Sequence, residues 1–468
     1  MKDLDRDKID FGKGDIGKML SRILLPTLLG MMASVVFILT DGIFVGHGVG
    51  SDGLAAINLV QPVFTVATAI GMMLGVGASV IAAIHLSRGN QKAARIIVTQ
   101  AFIAVLSAGV VLGVIFYSFP DWILRTLGAS DTLMPLCREY FLWFIPCILF
   151  VMIQLAAQFV IRLDGNPRFA GLVEIVPACI NIVLDWLFIF PMGWGLAGAG
   201  AATSVGTSAG VIMAAFYMVR RPQTLPLYRL KRSLTSLVLT LRNFLQMAKV
   251  GISAFLGEFA ISVLTLAGNY TFMKLLGEDG VAAYSVVNYL LPCIFMVYAA
   301  ISQAAQPIIS FNYGAGNQAR VRKTLRLALL LSIGFGAAMT LLFCLFPGTT
   351  VSVFLPQGTP AYDICASGLP LYSLGFIFMA VVQTFIGYYQ SVERTVPATV
   401  LTLLRGMVLP VAALMLMPSL SGVTGLWLAV PAAEAVTALC LAAYLTLHFL
   451  VTCIFMKSAT NSKSASSA

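Results

Sequence analysis

Apolar stretches long enough to cross a lipid bilayer recur along almost the whole chain, and they limit its possible folds more than any other feature. A transmembrane helix needs about 20 apolar residues. The chain is 59% hydrophobic and only 10% charged, whereas roughly a quarter of the residues of a soluble domain are charged. We predict an all-α membrane protein with twelve transmembrane helices, at approximately 19–45, 53–84, 96–118, 133–160, 170–190, 198–219, 246–272, 281–311, 324–346, 363–390, 396–417 and 425–455.

The basic residues predict the orientation of these helices. With the N-terminus inside, 25 of the 29 lysines and arginines, Arg162 among them, fall in cytosolic segments, as the positive-inside rule requires. The net charge of +10 therefore reflects topology, and we expect no nucleic-acid partner. The start of the chain lacks the apolar core and cleavage site of a removable signal peptide. Both termini are expected to be cytosolic.

The two halves of the chain repeat each other. With a shift of 227 residues, Asp52 and Gly53 align with Asp279 and Gly280, and the alignment continues through later loops. Each half has six helices and begins inside, so the halves are parallel repeats of the kind found in secondary transporters. We expect five segments, namely a cytosolic tail (1–18), an N-terminal lobe (19–219), a basic cytosolic linker (220–245), a C-terminal lobe (246–455) and a second cytosolic tail (456–468).

Six ionisable residues lie within predicted helices. Each costs about 2.5–3.5 kcal/mol at the centre of a membrane helix, which marks it as a functional candidate. The fifth predicted helix places Glu174, Asn181 and Asp185 on one face because their spacing matches the helical period. The six are Asp41, Glu174, Asp185, Glu258, Arg405 and Glu434.

One candidate site is predicted where Asp41, Asp185 and Thr203 share one depth, with Asn181 on the same helix face as Asp185. Asp41, Asp185, Asn181 and Thr203 can either coordinate a hard cation such as sodium or share a proton between the two carboxylates. A static hydrogen-bonded cluster is the alternative. The site would bind the coupling ion of a transporter.

Glu258 is a second candidate proton site. It lies among apolar neighbours near the middle of the seventh predicted helix, where burial favours the protonated acid. The alternative is a neutral carboxyl group bonded to nearby backbone.

Three further residues are candidates for a gating or structural ion pair. Glu174 and Arg405 fall one position apart when the repeats are superposed, so we predict that they pair, with Glu434 as the alternative partner of Arg405. Pro26, fifteen residues before Asp41, predicts a kink that either couples ion binding to helix shape or only packs.

Several segments resemble the multidrug and toxic compound extrusion (MATE) transporters over the whole chain. They include TDGIFVGHGVGSDGLAA, SRGNQKAA, NIVLDWLFIF and GLAGAGAAT. The resemblance implies a cation site at Asp41, Asn181 and Asp185, supported by Thr203, and a coupling role for Glu258. It also implies export of organic cations or amphiphilic drugs in exchange for sodium or protons. The tenth predicted helix lacks the acid that one bacterial branch pairs with that glutamate.

Other classes of protein fit less well. GKGDIGK matches the spacing of a phosphate-binding loop, but Met19 replaces the required Ser or Thr and a membrane helix follows at once. No catalytic motif appears, so we expect no enzyme and no cofactor. A lipid or oligosaccharide flippase is the main alternative. We expect a monomer in the plasma (inner) membrane, with drugs and lipids as its partners.

Overall fold

The computed structural model describes residues 9–230 and 233–465, and side chains are described up to Leu447 except at Thr235. Helices make up all of the regular secondary structure in these residues, which confirms the all-α prediction. In chain order they are α1 (Ile16–Gly48), α2 (Ser51–Ser87), α3 (Gln91–Ser118), α4 (Pro120–Thr126), α5 (Met134–Leu163), α6 (Pro167–Ile189), α7 (Gly195–Arg220), α8 (Leu234–Gly314), α9 (Gln318–Leu345), α10 (Pro347–Val351), α11 (Pro360–Ser373), α12 (Gly375–Ser391), α13 (Thr395–Leu403), a π-helical turn (Leu404–Val408) and α14 (Leu409–Ala465).

The helix lengths agree with twelve crossings in the described part of the chain. Nine helical runs are long and apolar enough to span a bilayer, and α11 with α12 forms a further span bent by 45°. Two of the nine runs, α8 and the run from Thr395 to Leu447, have 79 and 53 residues in their described apolar parts. Each therefore accounts for two crossings, since one needs only about 20 residues. Non-helical residues divide them, at Gly277 in α8 and at Ser421 and Gly422 in α14.

The backbone repeats with the same shift as the sequence. Gly50 and Gly277 both have positive φ, 99° and 64°, and both separate consecutive membrane helices. Positive φ also recurs at two more glycine pairs with the 227-residue shift, Gly89 with Gly316 and Gly195 with Gly422. Only glycine adopts such conformations at low cost. The repeated glycines therefore place the same turns at the same points of both halves.

Contacts between α-carbons divide the chain into two compact units. Unit 1 contains residues up to Phe259 together with 292–328 and 386–399, and unit 2 contains 260–291, 329–385 and 400–468. In unit 1, α2 packs on α5, α5 on α7, and α6 on both α1 and α7. Small residues allow these helices to approach closely. At Gly200, for example, a β-carbon would lie 2.7 Å from the carbonyl oxygen of Tyr140.

Unit 2 has an aromatic core. Phe272 stacks on Tyr284 with ring centroids 4.5 Å apart, and it meets the edge of Trp427 at 4.9 Å. Trp427 is almost fully buried. It fits against Gly368, where a β-carbon would clash with the indole ring. A larger residue at position 368 would exclude the indole.

Two segments differ from the predicted helix boundaries. The span predicted at 363–390 is broken between Ser373 and Gly375, since Pro370 cannot donate a backbone hydrogen bond inside the helix. Helix α8 begins at Leu234, so part of the predicted linker is helical. Of the predicted tails and linker, residues 1–8, 231–232 and 466–468 lie outside the described residues.

Candidate functional site

Two buried carboxyl groups meet where α1 packs on α6. Asp41 is 8% exposed and Asp185 is completely buried. The side chains lie within hydrogen-bonding reach of each other. Oδ1 of Asp41 and both carboxyl oxygens of Asp185 are buried without a hydrogen-bond donor among the described residues. Since two ionised carboxylates repel each other, the pair favours a proton or a cation between them.

Asn181 and Thr203 complete the predicted group. The side-chain amide of Asn181 donates to Oγ1 of Thr203 at 3.3 Å and interacts electrostatically with the carboxyl group of Asp185. The hydroxyl of Thr203 donates to the carbonyl of Ala199 at 3.0 Å. Three helices, α1, α6 and α7, thus bring together the four residues that the sequence selected. Their oxygen atoms are of the type that binds hard cations.

A cavity of about 220 Å³ lies beside this group in unit 1. Two acids, Glu174 and Glu258, line it, while Asn181 and Thr203 form the part of its wall nearest the acid pair. Two glutamines of α5, Gln154 and Gln158, also line it. The remaining lining residues are Ser34, Phe37, Ile38, Phe64, Thr68, Met72, Val151, Leu155, Pro177, Ala178 and Thr207. The cavity is therefore apolar over most of its surface and acidic at two points.

Glu174 is held on the cavity wall by α1. Its Oε1 accepts a hydrogen bond from the hydroxyl of Ser34 at 3.1 Å. Its Oε2 is buried without a hydrogen-bond partner among the described residues. Gly30 makes room for the carboxyl group, because a β-carbon there would lie 2.5 Å from Oε2. Glu174 thus presents one acceptor oxygen that no described protein donor uses.

Arg405 forms an ion pair with Glu434, which the sequence analysis gave as the alternative to Glu174. Its Nε lies 3.0 Å from Oε1 of Glu434, and its Nη1 donates to the side-chain oxygen of Gln383 at 2.6 Å. The two charged side chains are 10% and 3% exposed. The ion pair belongs to unit 2, and Arg405 lies in the π-helical turn between α13 and α14. Whether the pair has a gating role stays a prediction.

Pro26 lies in a close contact between α1 and α6. Helix α1 continues through it from Ile16 to Gly48. A β-carbon on Gly171 would lie 2.8 Å from the carbonyl oxygen of Pro26. The next residue, Thr27, is buried and donates its hydroxyl to the carbonyl of Ile23 at 2.8 Å. The predicted conformational role of Pro26 stays a prediction.

Sequence analysis missed two residues of this region. Tyr140 on α5 is buried and interacts electrostatically with both Asp41 and Asp185. Arg162 was assigned to the cytosolic surface, yet it is only 2% exposed. The positive-inside count cannot separate a buried arginine at a helix end from a solvated one. Gln158, a polar residue one helical turn before Arg162 in an apolar helix, was the sequence feature that could have indicated the burial of Arg162.

The fold and this site define a polytopic membrane protein with two repeated halves and a cavity bearing buried carboxylates. The profile of the MatE family matches residues 26–187 and 253–416, one segment in each half. The chain belongs to the MatE family of membrane transporters.

Relatives of similar length support the assignment. An FAD transporter of Shewanella oneidensis is 24% identical over 436 residues, which cover 91% of this chain and 93% of the relative. The multidrug export protein MepA of Staphylococcus aureus is 24% identical over 450 residues, covering 94% and 95%.

Solved structures share the fold. A multidrug resistance MATE family transporter in an outward-facing conformation gives a TM-score of 0.86 at 21% identity, over 95% of this chain and 99% of that one. A mutant of the Vibrio cholerae transporter VcmN gives 0.85 at 19% identity, over 93% and 97%.

Proposed function

We propose that this protein is a secondary active multidrug exporter that exchanges organic cations or amphiphilic drugs for sodium or protons by alternating access. The observation that carries the proposal is the cavity of unit 1. Glu174 and Glu258 give its mainly apolar wall two acidic points, which suit a cargo with a positive charge and a hydrophobic body.

The acid pair Asp41 and Asp185 supports the exchange part of the proposal. The pair lies behind Asn181 and Thr203, which also line the cavity. A coupling ion bound at the pair would therefore be separated from the cargo by only two side chains. We propose that sodium or a proton binds there, with Glu258 as a second proton site. A charge bound at one site disfavours a like charge at the other because buried charges interact strongly.

The names of the relatives favour export of large organic molecules. MepA is a multidrug export protein and shares 24% identity with this chain. The Shewanella relative is an FAD transporter at the same identity, so cargo charge varies among such relatives. The cavity acids favour cationic cargo here. An anionic cargo, or a lipid or oligosaccharide moved by a flippase, is the second candidate, favoured by that FAD-transporting relative.

We further propose a monomer in the plasma (inner) membrane, with both termini cytosolic, lipids around it and drugs as its cargo. Its cycle is expected to need neither a cofactor nor an enzymatic step, since the gradient of the coupling ion supplies the energy. The basic loops support the orientation.

Transport by purified protein in liposomes tests the function. Imposed sodium or proton gradients should drive uptake of ethidium, and Asp41→Asn or Asp185→Asn should abolish the response to the gradient. Asp52→Asn is the matched control because Asp52 is an exposed residue at the start of α2. Wild-type transport that ignores both gradients would overturn the antiporter proposal. Movement of FAD or labelled lipid instead would favour the second candidate.

A further inference from the structure

Arg162 is a buried cation behind the cavity. It lies in the last turn of α5 and is 2% exposed. Its Nη1 donates to the side-chain oxygen of Gln303 at 2.8 Å, and its Nη2 donates to that of Gln158 at 3.1 Å. The guanidinium also lies 5.1 Å from the ring centroid of Phe159. These neutral contacts satisfy hydrogen bonds, but among the described residues no anion contacts the guanidinium.

Glu174 supplies the opposite charge. Arg162 and Glu174 attract each other electrostatically, yet Nε of Arg162 and Oε2 of Glu174 both lack a hydrogen-bond partner among the described residues. Gln158 links the two environments, because it both accepts from Arg162 and lines the cavity beside Glu174. The two charges therefore attract without a direct hydrogen bond, while the carboxylate remains open to the cavity.

The other partner of Arg162 comes from the second half of the sequence. Gln303 lies in the last part of α8, which packs against α2 within unit 1. There Gln306 donates to the carbonyl of Val76 at 3.4 Å, and a β-carbon on Gly314 would clash with Oγ of Ser87. In the predicted orientation these are cytosolic helix ends. Alternating access must separate the halves at this end when the cavity opens to the cytosol.

Separation would remove Gln303 from Arg162 and admit water. In the closed arrangement, burial makes the attraction between Arg162 and Glu174 strong, whereas water would screen it. A cation bound at Glu174 competes with Arg162 only in the closed arrangement. In the closed arrangement, Arg162 stabilises the carboxylate of Glu174 that has no bound cation. By thermodynamic linkage, Arg162 therefore lowers the affinity of Glu174 for cations in that arrangement.

We propose that Arg162 is a positioning residue that lowers the affinity of Glu174 for cationic cargo when the cytosolic helix ends are closed, and so promotes release of cargo to the outside. The proposal rests on the proposed export of organic cations and adds the cause of the change in affinity. Cargo binds Glu174 tightly while the cytosolic side is open. Closure excludes water from between Arg162 and Glu174, which strengthens their attraction and weakens that binding.

A cross-link that holds the cytosolic ends together allows the affinity to be measured in one conformation. Ser87→Cys with Gly314→Cys places two thiols at the contact between the end of α2 and the end of α8, in a background with the eight native cysteines replaced. The probe is tetraphenylphosphonium, a permanent organic cation, and its binding is measured in lipid nanodiscs with the disulfide oxidised and reduced. Cross-linking should weaken binding by about tenfold, within the usual range of coupling energies.

Arg162→Gln should remove most of this difference by strengthening binding to the cross-linked protein. Arg22→Gln, an exposed arginine of α1, is the matched control and should leave the difference intact. Gln303→Ala keeps the charge of Arg162, so it should leave binding to the cross-linked protein weak. An equal affinity of Arg162→Gln and the parent in the cross-linked form would overturn the proposal.

Glu174→Gln tests the same idea with Arg162 in place, should the Arg162 variant fail to fold. It should bind the probe weakly in both forms, with little effect of cross-linking. An unchanged tenfold effect of cross-linking in Glu174→Gln would also overturn the proposal. If tetraphenylphosphonium binds neither the oxidised nor the reduced parent, the proposed export of organic cations fails and this inference fails with it.

Discussion

The side chain of Asn181 donates a hydrogen bond to the hydroxyl of Thr203 across 3.3 Å, and this contact joins α6 to α7 beside the buried acid pair. The helices approach closely because Gly206 faces the α6 backbone, where a β-carbon would lie 3.0 Å from the carbonyl oxygen of Pro177. Asn181 therefore has its orientation set by a neighbouring helix. The contact holds the amide of Asn181 where it interacts electrostatically with Asp185.

Thr203→Val should weaken coupling to the ion gradient without unfolding the protein. Valine keeps the shape of threonine but cannot accept the hydrogen bond of Asn181, and an unsatisfied buried polar group costs about 1–3 kcal/mol. Gradient-driven ethidium uptake in liposomes should fall several-fold. Thr126→Val, at an exposed position of α4, is the control. Full coupling in Thr203→Val would show that Thr203 does not support the site.

Loss of one member of the Arg405 and Glu434 pair should destabilise unit 2. Removing one partner of a buried ion pair costs about 3–5 kcal/mol because the other charge stays buried. Arg405→Met or Glu434→Leu should therefore lower the thermal unfolding midpoint in detergent strongly, and the double variant should recover much of the loss. Arg125→Gln breaks an ion pair whose side chains are 69% and 92% exposed, for which about 1 kcal/mol or less is expected.

Transport by the double variant distinguishes a structural role of this ion pair from a gating role. A stable double variant with normal transport would make the pair structural. A stable double variant that no longer transports would indicate gating.

Gly171→Ala should strain the contact between α1 and α6. The new methyl group would meet the carbonyl oxygen of Pro26 at 2.8 Å, and a backbone atom cannot move aside as easily as a side chain. Overpacking of this kind costs about 1–3 kcal/mol, which should appear as a lower unfolding midpoint. Gly334→Ala, at a helical glycine where a β-carbon meets nothing within 4 Å, should be neutral or slightly stabilising. Equal midpoints for the two variants would contradict the close packing at Pro26.

Glu393 should make stability depend on pH. It lies in the loop between α12 and α13, where burial raises the pKa of its carboxyl group despite the opposing effects of Arg88 and Gln246. The folded protein therefore binds a proton at this site more tightly than the unfolded chain does. The stabilisation from this tighter proton binding is fully present below the ordinary pKa of glutamate. It is lost as the pH rises through the raised pKa of Glu393 in the folded protein.

Glu393→Gln should accordingly become more stable relative to wild type as pH rises from about 4.5 toward 8, the range that begins at the ordinary pKa of glutamate. Unfolding midpoints across that range measure the effect, with a shift of a few degrees expected at the upper end. Glu278→Gln, at an exposed position, is the matched control. A constant difference between Glu393→Gln and wild type would contradict the prediction.

Much of the architecture follows from the sequence because a bilayer allows few solutions. Apolar runs of sufficient length must form helices there, since lipid offers no partner to free backbone groups. The repeat was visible for the same reason, because turns that need positive φ require glycine, as at Gly50 and Gly277. The helical period likewise placed Asn181 and Asp185 on one face before any tertiary contact was known.

Contacts between distant helices needed the tertiary structure. Sequence alone offered two partners for Arg405, and packing in unit 2 brings Glu434 to 3.0 Å from it. The tertiary structure also places Arg162, counted among the cytosolic cations, in a buried position behind Glu174, for which Gln158 was the available sequence signal.

The sequence by itself thus determined which segments cross the membrane, that the halves repeat, and which polar residues share a helix face. Only the tertiary structure decided which of those residues meet. The physical reason is range: helical period and bilayer thickness act on neighbouring residues, whereas a contact such as that of Arg162 with Gln303, 141 residues apart, depends on how several helices pack.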